Sequence, residues 1–305
     1  MTINTIEYSK LMMKSLDQHA VQALTSGWME QNAGAVIYNG GDEVKIPTMS
    51  TVGLANYDRD AGFVQGGVTL KYETYKMTQD RGRTFQLDAM DVDESGFVAT
   101  SANVIKTFQS TQVIPEIDAY RYSKIAAIAE KANQIEKVAI TADNALDKIR
   151  EHISTVQDVV GDNVPLVLTM STKTRALITD SPKIGKSINV ADFKQGALSF
   201  KVKTLDECPI RIAPSARLKT LYDILDGTTS GQESGGLKPN TAAKDIFWII
   251  TPITVPIAIN KTDKLRVFTP DVNQKADAWK IDFRKYHDLW IKKQKENQIF
   301  VCVNA

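Results

Sequence analysis

Gly185-Lys186-Ser187 ends like a phosphate-binding loop, in which backbone amides and a lysine cradle a chain of phosphates. The full pattern, Gly-x-x-x-x-Gly-Lys-Ser/Thr, needs a glycine where this chain has Asp180, and a carboxylate there repels phosphate. No strand leads directly into the triplet, so it reads as an exposed loop. Asp91-Val92-Asp93-Glu94-Ser95-Gly96 spaces oxygen donors and a glycine like the first half of a calcium loop, but Ala102 stands where a bidentate glutamate must close the shell. These acids read instead as a helix start, where the dipole favours negative charge. His287-Asp288 sets a histidine beside a carboxylate, yet neighbours on a strand point to opposite faces and cannot form a dyad. His19 and His152 fall on predicted helices. Cys208 precedes Pro209 and Cys302 sits in an apolar run; with no Cys-x-x-Cys spacing, both read as packing residues. The pattern predicts no catalytic group, no cofactor site and no metal site, so the chain does not read as an enzyme.

Composition points the same way. The chain has 305 residues and a mass of 33.8 kDa, room for two domains or one elaborate one. Apolar residues make up 43% and charged residues 24%, the balance of a globular chain. With 37 basic and 36 acidic side chains, no overall field attracts nucleic acid or anionic lipid. The charge is nevertheless divided: 15 basic against 19 acidic residues up to position 150, then 22 against 17, which suits head-to-tail packing of like subunits. Glu7 and Asp17 interrupt any export signal, and the most apolar run, Ile246 to Ile259, contains Pro252 and Pro256 and is too short for a membrane span of about 20 residues. The expectation is a soluble intracellular product, with no membrane partner.

The elements follow from periodicity. Ile6, Met13, Leu16, Ala20, Leu24 and Trp28 share one face of an amphipathic N-terminal helix or arm. Residues 42–50 and 68–77 alternate as strands, with Val44 and Ile46, then Val68, Leu70, Tyr72 and Thr74, on alternate positions. Between them, 51–67 is rich in Gly, Asn and Asp and forms a long turn-like tip. After the acids at 88–94, Phe97, Val98, Val104, Ile105 and Phe108 form a helical stripe, and a second helix is expected to begin near Pro115 and run to about Ala132. A third helix spans about 142–160 and stops at Gly161; a buried strand follows over 164–170, then a short helix capped by Ser171. Gly227 to Gly236 reads as a surface loop. The last 45 residues alternate as three or four antiparallel strands, which the helices near 92–131 are placed to cover. Lys292, Lys293 and Lys295 read as edge-strand lysines that discourage stray pairing.

The tip carries a puzzle of its own. Leu54, Tyr57, Phe63 and Val64 are apolar groups on a segment whose ordering costs about 1–2 kcal/mol per residue. An isolated two-stranded ribbon is marginal in water. Unless the hairpin folds over its own core, something must receive these side chains.

The order of features resembles one family. The arm, the ribbon, Arg81-Gly-Arg-Thr-Phe-Gln-Leu-Asp-Ala-Met-Asp-Val-Asp-Glu94 and Val113-Ile-Pro-Glu-Ile-Asp-Ala-Tyr-Arg-Tyr-Ser-Lys-Ile125 resemble major capsid proteins of tailed bacteriophages with the Hong Kong 97 fold. Phe268-Thr-Pro-Asp271, Ala278-Trp279 and Tyr286-His-Asp-Leu289 are similar to the family's closing strands, so the resemblance spans the chain. It implies an α+β fold with an N-terminal arm over 1–36, an E-loop over 37–82, a peripheral domain with a spine helix over 83–134 and 262–305, and an inserted axial domain over 135–261. It also implies a structural subunit that assembles with itself into pentamers and hexamers of an icosahedral head shell. Leu54, Tyr57, Phe63 and Val64 would then lie on neighbouring subunits. The partners implied are a portal, double-stranded DNA held by enclosure without sequence readout, and a separate scaffolding protein, since the arm is too short to be one. The protein would be made in the host cytoplasm and end in the virion. A bacterial nanocompartment shell, which shares the fold but encloses protein cargo, is the alternative.

Overall fold

A ribbon of two long antiparallel strands leaves the rest of the molecule, and its register is set by side-chain alternation. The computed structural model describes residues 24–38, 43–60, 62–94, 101–181, 204–205 and 208–305. Most of the expected arm helix, His19, Phe97, Val98 and Gly185-Lys186-Ser187 lie outside the described residues. From the N-terminal side, a 3-10 helix over Gly27–Ala35 leads to β1 (Ile37–Tyr38), and the ribbon is β2 (Glu43–Thr51) and β3 (Val68–Lys76). The expected strands and tip are therefore present at the expected places. β4 (Gln79–Asp88) follows after only Met77 and Thr78, and α1 (Ala89–Glu94) begins where the acids cluster, with Asp88 accepting from the Met90 amide at 2.9 Å.

The next helices differ from expectation. α2 (Ser101–Phe108) runs through a π-helical turn, Gln109–Val113, directly into α3 (Ile114–Lys131), so Pro115 does not start a helix but sits inside a continuous one. Proline cannot donate to the carbonyl four residues back and clashes with it. The wider turn just before it, in which the Ile114 amide reaches the Gln109 carbonyl, absorbs that misfit.

β5 (Ile135–Lys137) and α4 (Ala145–Val160) follow, α4 burying Leu146, Ile149, Ile153 and Val156 on one stripe and ending at Gly161 with φ +86°. β6 (Leu166–Ser171) is buried along its whole length, and the Ser171 hydroxyl accepts from the Thr174 amide to cap α5 (Thr172–Thr179) at 3.1 Å. Both features match the reading of the sequence. β7 (Thr204–Leu205), β8 (Cys208–Ala213), the hairpin of β9 (Tyr222–Leu225) and β10 (Gly236–Pro239), β11 (Ile246–Pro252), β12 (Ile257–Phe268), β13 (Ala278–Trp290) and β14 (Phe300–Val303) complete the chain.

The C-terminal strands do not form one sheet. β12, β13 and β4 make a three-stranded antiparallel sheet, whereas β14 joins a six-stranded sheet in the order β5-β14-β11-β6-β8-β7. Trp279 through Leu289 lie on one long strand, β13. Lys293–Gln298 form a 3-10 turn, so Lys293 and Lys295 are not edge-strand residues. The helical run lies between the sheets. Ile105, Phe108 and Val113 pack on Phe85, Leu265, Ile281 and Phe283, with the Phe108 ring 4.9 Å from Phe85 and 5.6 Å from Phe283. Tyr122, Ile125, Ala126 and Ala129 face Ile249, Leu289, Ile299 and Val301. Each large apolar side chain among them contributes about 1.5–3 kcal/mol by leaving water.

Candidate assembly interface

The two faces of the ribbon have different fates. Residues directly opposite in an antiparallel pair share a face. Val44 stands opposite Tyr75 and Ile46 opposite Glu73, and this face is buried at its base on Met77, Ile257, Ile259, Tyr286 and Trp290. The other face pairs Pro47 with Tyr72, Met49 with Leu70 and Thr51 with Val68. Beyond the polar pairs Glu43–Lys76 and Lys45–Thr74 at the root, this face is largely apolar and open to solvent, Met49 being 62% and Leu70 52% exposed. The apolar surface continues into the tip, where Val52, Leu54, Tyr57 and Val64 are exposed and Phe63 is 90% exposed. At the tip the Asp58 and Gly62 backbones bond to each other, at 3.2 and 2.8 Å, through a turn whose Gly62 has φ +80°. This brings Tyr57 and Phe63 together with ring centroids 4.8 Å apart.

All four tip residues singled out in the sequence are thus at the surface, and two of them touch. Met49, Val52, Val68, Leu70 and Tyr72 extend the same patch and were not among them. Alternation in β2 and β3 carries that signal. A contiguous exposed apolar area of this kind marks an interaction surface.

Side chains from β13 and α3 grip the ribbon root. Asp288, fully buried, accepts from the Thr78 amide at 2.9 Å, the Thr78 hydroxyl at 3.0 Å, the Tyr120 hydroxyl at 2.8 Å and the Leu289 amide at 2.7 Å, and pairs with the Lys124 ammonium. Burial and the adjacent Asp288 charge raise the Tyr120 phenol well above its ordinary value, so it stays a donor. The Tyr286 hydroxyl donates to the Met77 carbonyl at 3.1 Å, and the Lys292 ammonium to the Pro47 carbonyl at 3.2 Å. Asp288 makes none of these bonds to His287, its neighbour on the same strand.

No protein-family model and no curated protein matches the chain. Among solved structures, the capsid of cyanophage P-SCSP1u aligns with a TM-score of 0.61 at 10% identity, over 88% of this chain and 85% of that one. A structure from Microbacterium phage Oxtober96 aligns at 0.59 and 10% identity over 90% of each chain. The virus-like particle from Pyrococcus furiosus aligns at 0.52 and 11% identity over 97% of this chain and 99% of that one. The chain has the Hong Kong 97 capsid fold. At such low identity the likeness is one of architecture.

A second grip in this Hong Kong 97 fold holds the segment that precedes the ribbon. Asp118, fully buried on α3, accepts from the Thr25 hydroxyl at 2.8 Å, the Ser26 amide at 3.0 Å, the Ser26 hydroxyl at 2.6 Å and Arg217 at 2.9 Å. Arg121, one helical turn on and also fully buried, donates to the Ser26 carbonyl at 3.3 Å and to Glu30 at 2.6 Å.

The remaining candidates have structural surroundings. Among the described residues no cluster of His, Cys, Asp or Glu could hold a metal ion, and no helix is long and apolar enough to cross a membrane. Cys208 and Cys302 are both buried, and burial pushes the Cys302 thiol up to about 12. His152 is buried, accepting from the Trp248 indole at 3.1 Å through Nδ1 and facing Glu136 through Nε2. A cavity of about 590 Å³ lies between β4, the helical run and the β9–β10 loop. There Arg81 bridges Glu116 at 2.8 Å and the Leu225 carbonyl at 3.0 Å, and the lining balances Arg81, Arg83 and Lys285 against Asp80, Glu116 and Asp226.

Proposed function

We propose that this protein is the major capsid subunit of a tailed bacteriophage, assembling with itself into pentamers and hexamers of an icosahedral head shell around double-stranded DNA. The observation that carries the reading is the ribbon: a projection on a capsid fold whose unsupported face and tip are apolar. Among the described residues of one subunit, nothing covers Met49, Leu70, Leu54 or Phe63. A neighbouring copy that received them would remove their surface from water at about 25 cal/mol per Å². On this reading the ribbon is the E-loop, and Leu54, Tyr57, Phe63 and Val64 are contacts to the next subunit. The Hong Kong 97 fold also supports the division into a peripheral domain around the helical run and an axial domain around the six-stranded sheet. A scaffolding protein, a portal, synthesis in the host cytoplasm and residence in the virion belong to the same reading. The role is structural rather than catalytic.

The test is light scattering with negative-stain electron microscopy on the expressed chain, alone and with a candidate scaffold. Uniform shells or capsomer rings are expected. Replacing residues 51–67 with a short turn should leave a folded monomer that does not assemble; regular shells from that variant would refute the ribbon's role.

The likeness to the Pyrococcus furiosus virus-like particle, nearly complete over both chains, favours a second reading as a nanocompartment shell. Particles that carry a co-purified enzyme instead of DNA would select it.

A further inference from the structure

On its C-terminal side the ribbon joins the body through two residues, Met77-Thr78, and one buried carboxylate holds them. Asp288 takes both the amide and the hydroxyl of Thr78, while Tyr120 and Lys124, four residues apart on one face of α3, hold the same carboxylate from the helix side. We propose that Asp288 is a positioning residue for shell assembly: by gripping Thr78 against α3 it sets the direction in which the ribbon leaves the body. This inference rests on the shell-subunit reading above.

The chemistry favours a rigid grip. A carboxylate offers about four acceptor sites, and five donors from the ribbon link, α3 and β13 saturate it. Pivoting the link would leave a buried charge short of partners, which is far more costly than losing a surface bond. Other contacts at the root are less directional: Tyr286 to the Met77 carbonyl and Lys292 to the Pro47 carbonyl are single bonds to neutral groups, and Val44 and Ile46 pack on Ile257 and Trp290 through apolar contact. Lever length makes the angle matter. Nine residues at about 3.3 Å each carry the ribbon roughly 30 Å, so a pivot of about 10° at the root displaces the tip by roughly 5 Å. That is the width of a side chain, enough to decide whether the tip meets its receiving surface.

Two variants test the grip. Thr78→Val removes one donor and keeps the β-branched shape; Asp288→Asn keeps the shape and removes the charge. Val156→Ala, in the separate core beneath α4, supplies a control that is destabilised elsewhere. Hydrogen exchange on the unassembled protein and microscopy of assembled particles are compared for all three. In Thr78→Val the amides around 76–80 should exchange about tenfold faster, the worth of one hydrogen bond to a charged group. Its particles should be scarce or mixed in diameter, while Val156→Ala gives uniform shells of unmutated size. Uniform shells of unmutated size from Thr78→Val, or unchanged exchange at the root, would overturn the proposal even if Asp288→Asn fails to fold. If the unmutated chain forms no shell with or without scaffold, the subunit reading fails and this inference falls with it.

Discussion

Met49 and Leu70 stand directly opposite each other on the ribbon, on the face turned away from the body, and both are more than half exposed. Because they touch no core, their replacement tests assembly without testing folding. Met49→Glu combined with Leu70→Glu should change the unfolding free energy by no more than about 1 kcal/mol, mainly through cross-strand charge repulsion. Particle yield should collapse. Denaturant unfolding and light scattering on the same preparation check both halves of the statement.

Asp118 predicts the opposite balance. Asp118→Ala strips Thr25, Ser26 and Arg217 of their common acceptor and leaves the buried Arg121 with less compensation. Breaking a buried charge network in this way costs about 3–5 kcal/mol. Chemical denaturation should show that loss, whereas Ser26→Ala should cost only about 1 kcal/mol.

Two histidines make the fold sensitive to mild acid. Burial lowers the His287 pKa well below its ordinary value, helped by the nearby Arg121, Lys285, Lys124 and Arg81 charges. Burial also lowers His152 despite the Glu136 carboxylate beside it. Both are held neutral when folded, so the unfolded chain binds more protons just below its reference value of about 6.5. Their stabilising contribution is complete above that pH and is lost as pH falls through it toward the folded values. The melting temperature should therefore drop between pH 7 and pH 5, a range in which ordinary carboxylates stay ionised. His287→Gln and His152→Gln should each flatten this slope, and an unchanged slope in both single variants would contradict the assignment.

Gly161 ends α4 with φ +86°, and apart from its chain neighbours no described atom lies within 4 Å of the point where a Cβ would stand. Gly161→Ala therefore introduces backbone strain without a clash, costing about 1–3 kcal/mol. A thermal melt should show a lowered midpoint with unchanged secondary structure at room temperature.

Much of this architecture is legible locally. Ser171 as a cap, Gly161 as a helix stop, the stripe from Leu146 to Val156 and the strands on either side of the Gly-rich tip all follow from rules that act over a few residues. Leu54, Tyr57, Phe63 and Val64 can be named because apolar groups in a turn-rich segment are anomalous wherever the segment lies. Pro115 misleads because local rules treat proline as a helix start, while a π turn lets the helix continue through it.

What the chain order leaves open is which surfaces meet. The period of β2 and β3 shows two faces but not which one the body covers, since that depends on Trp290 and Tyr286, more than two hundred residues further on. In the sequence Asp288 is half of a failed dyad with His287; only its approach to Thr78, 210 residues away, makes it the ribbon's anchor. Local periodicity, capping and turn chemistry are written in neighbouring residues, so the sequence alone determined the elements and the odd apolar tip. Burial of a charge and the exposure of a face depend on partners brought together from distant positions, and only the tertiary structure decided those.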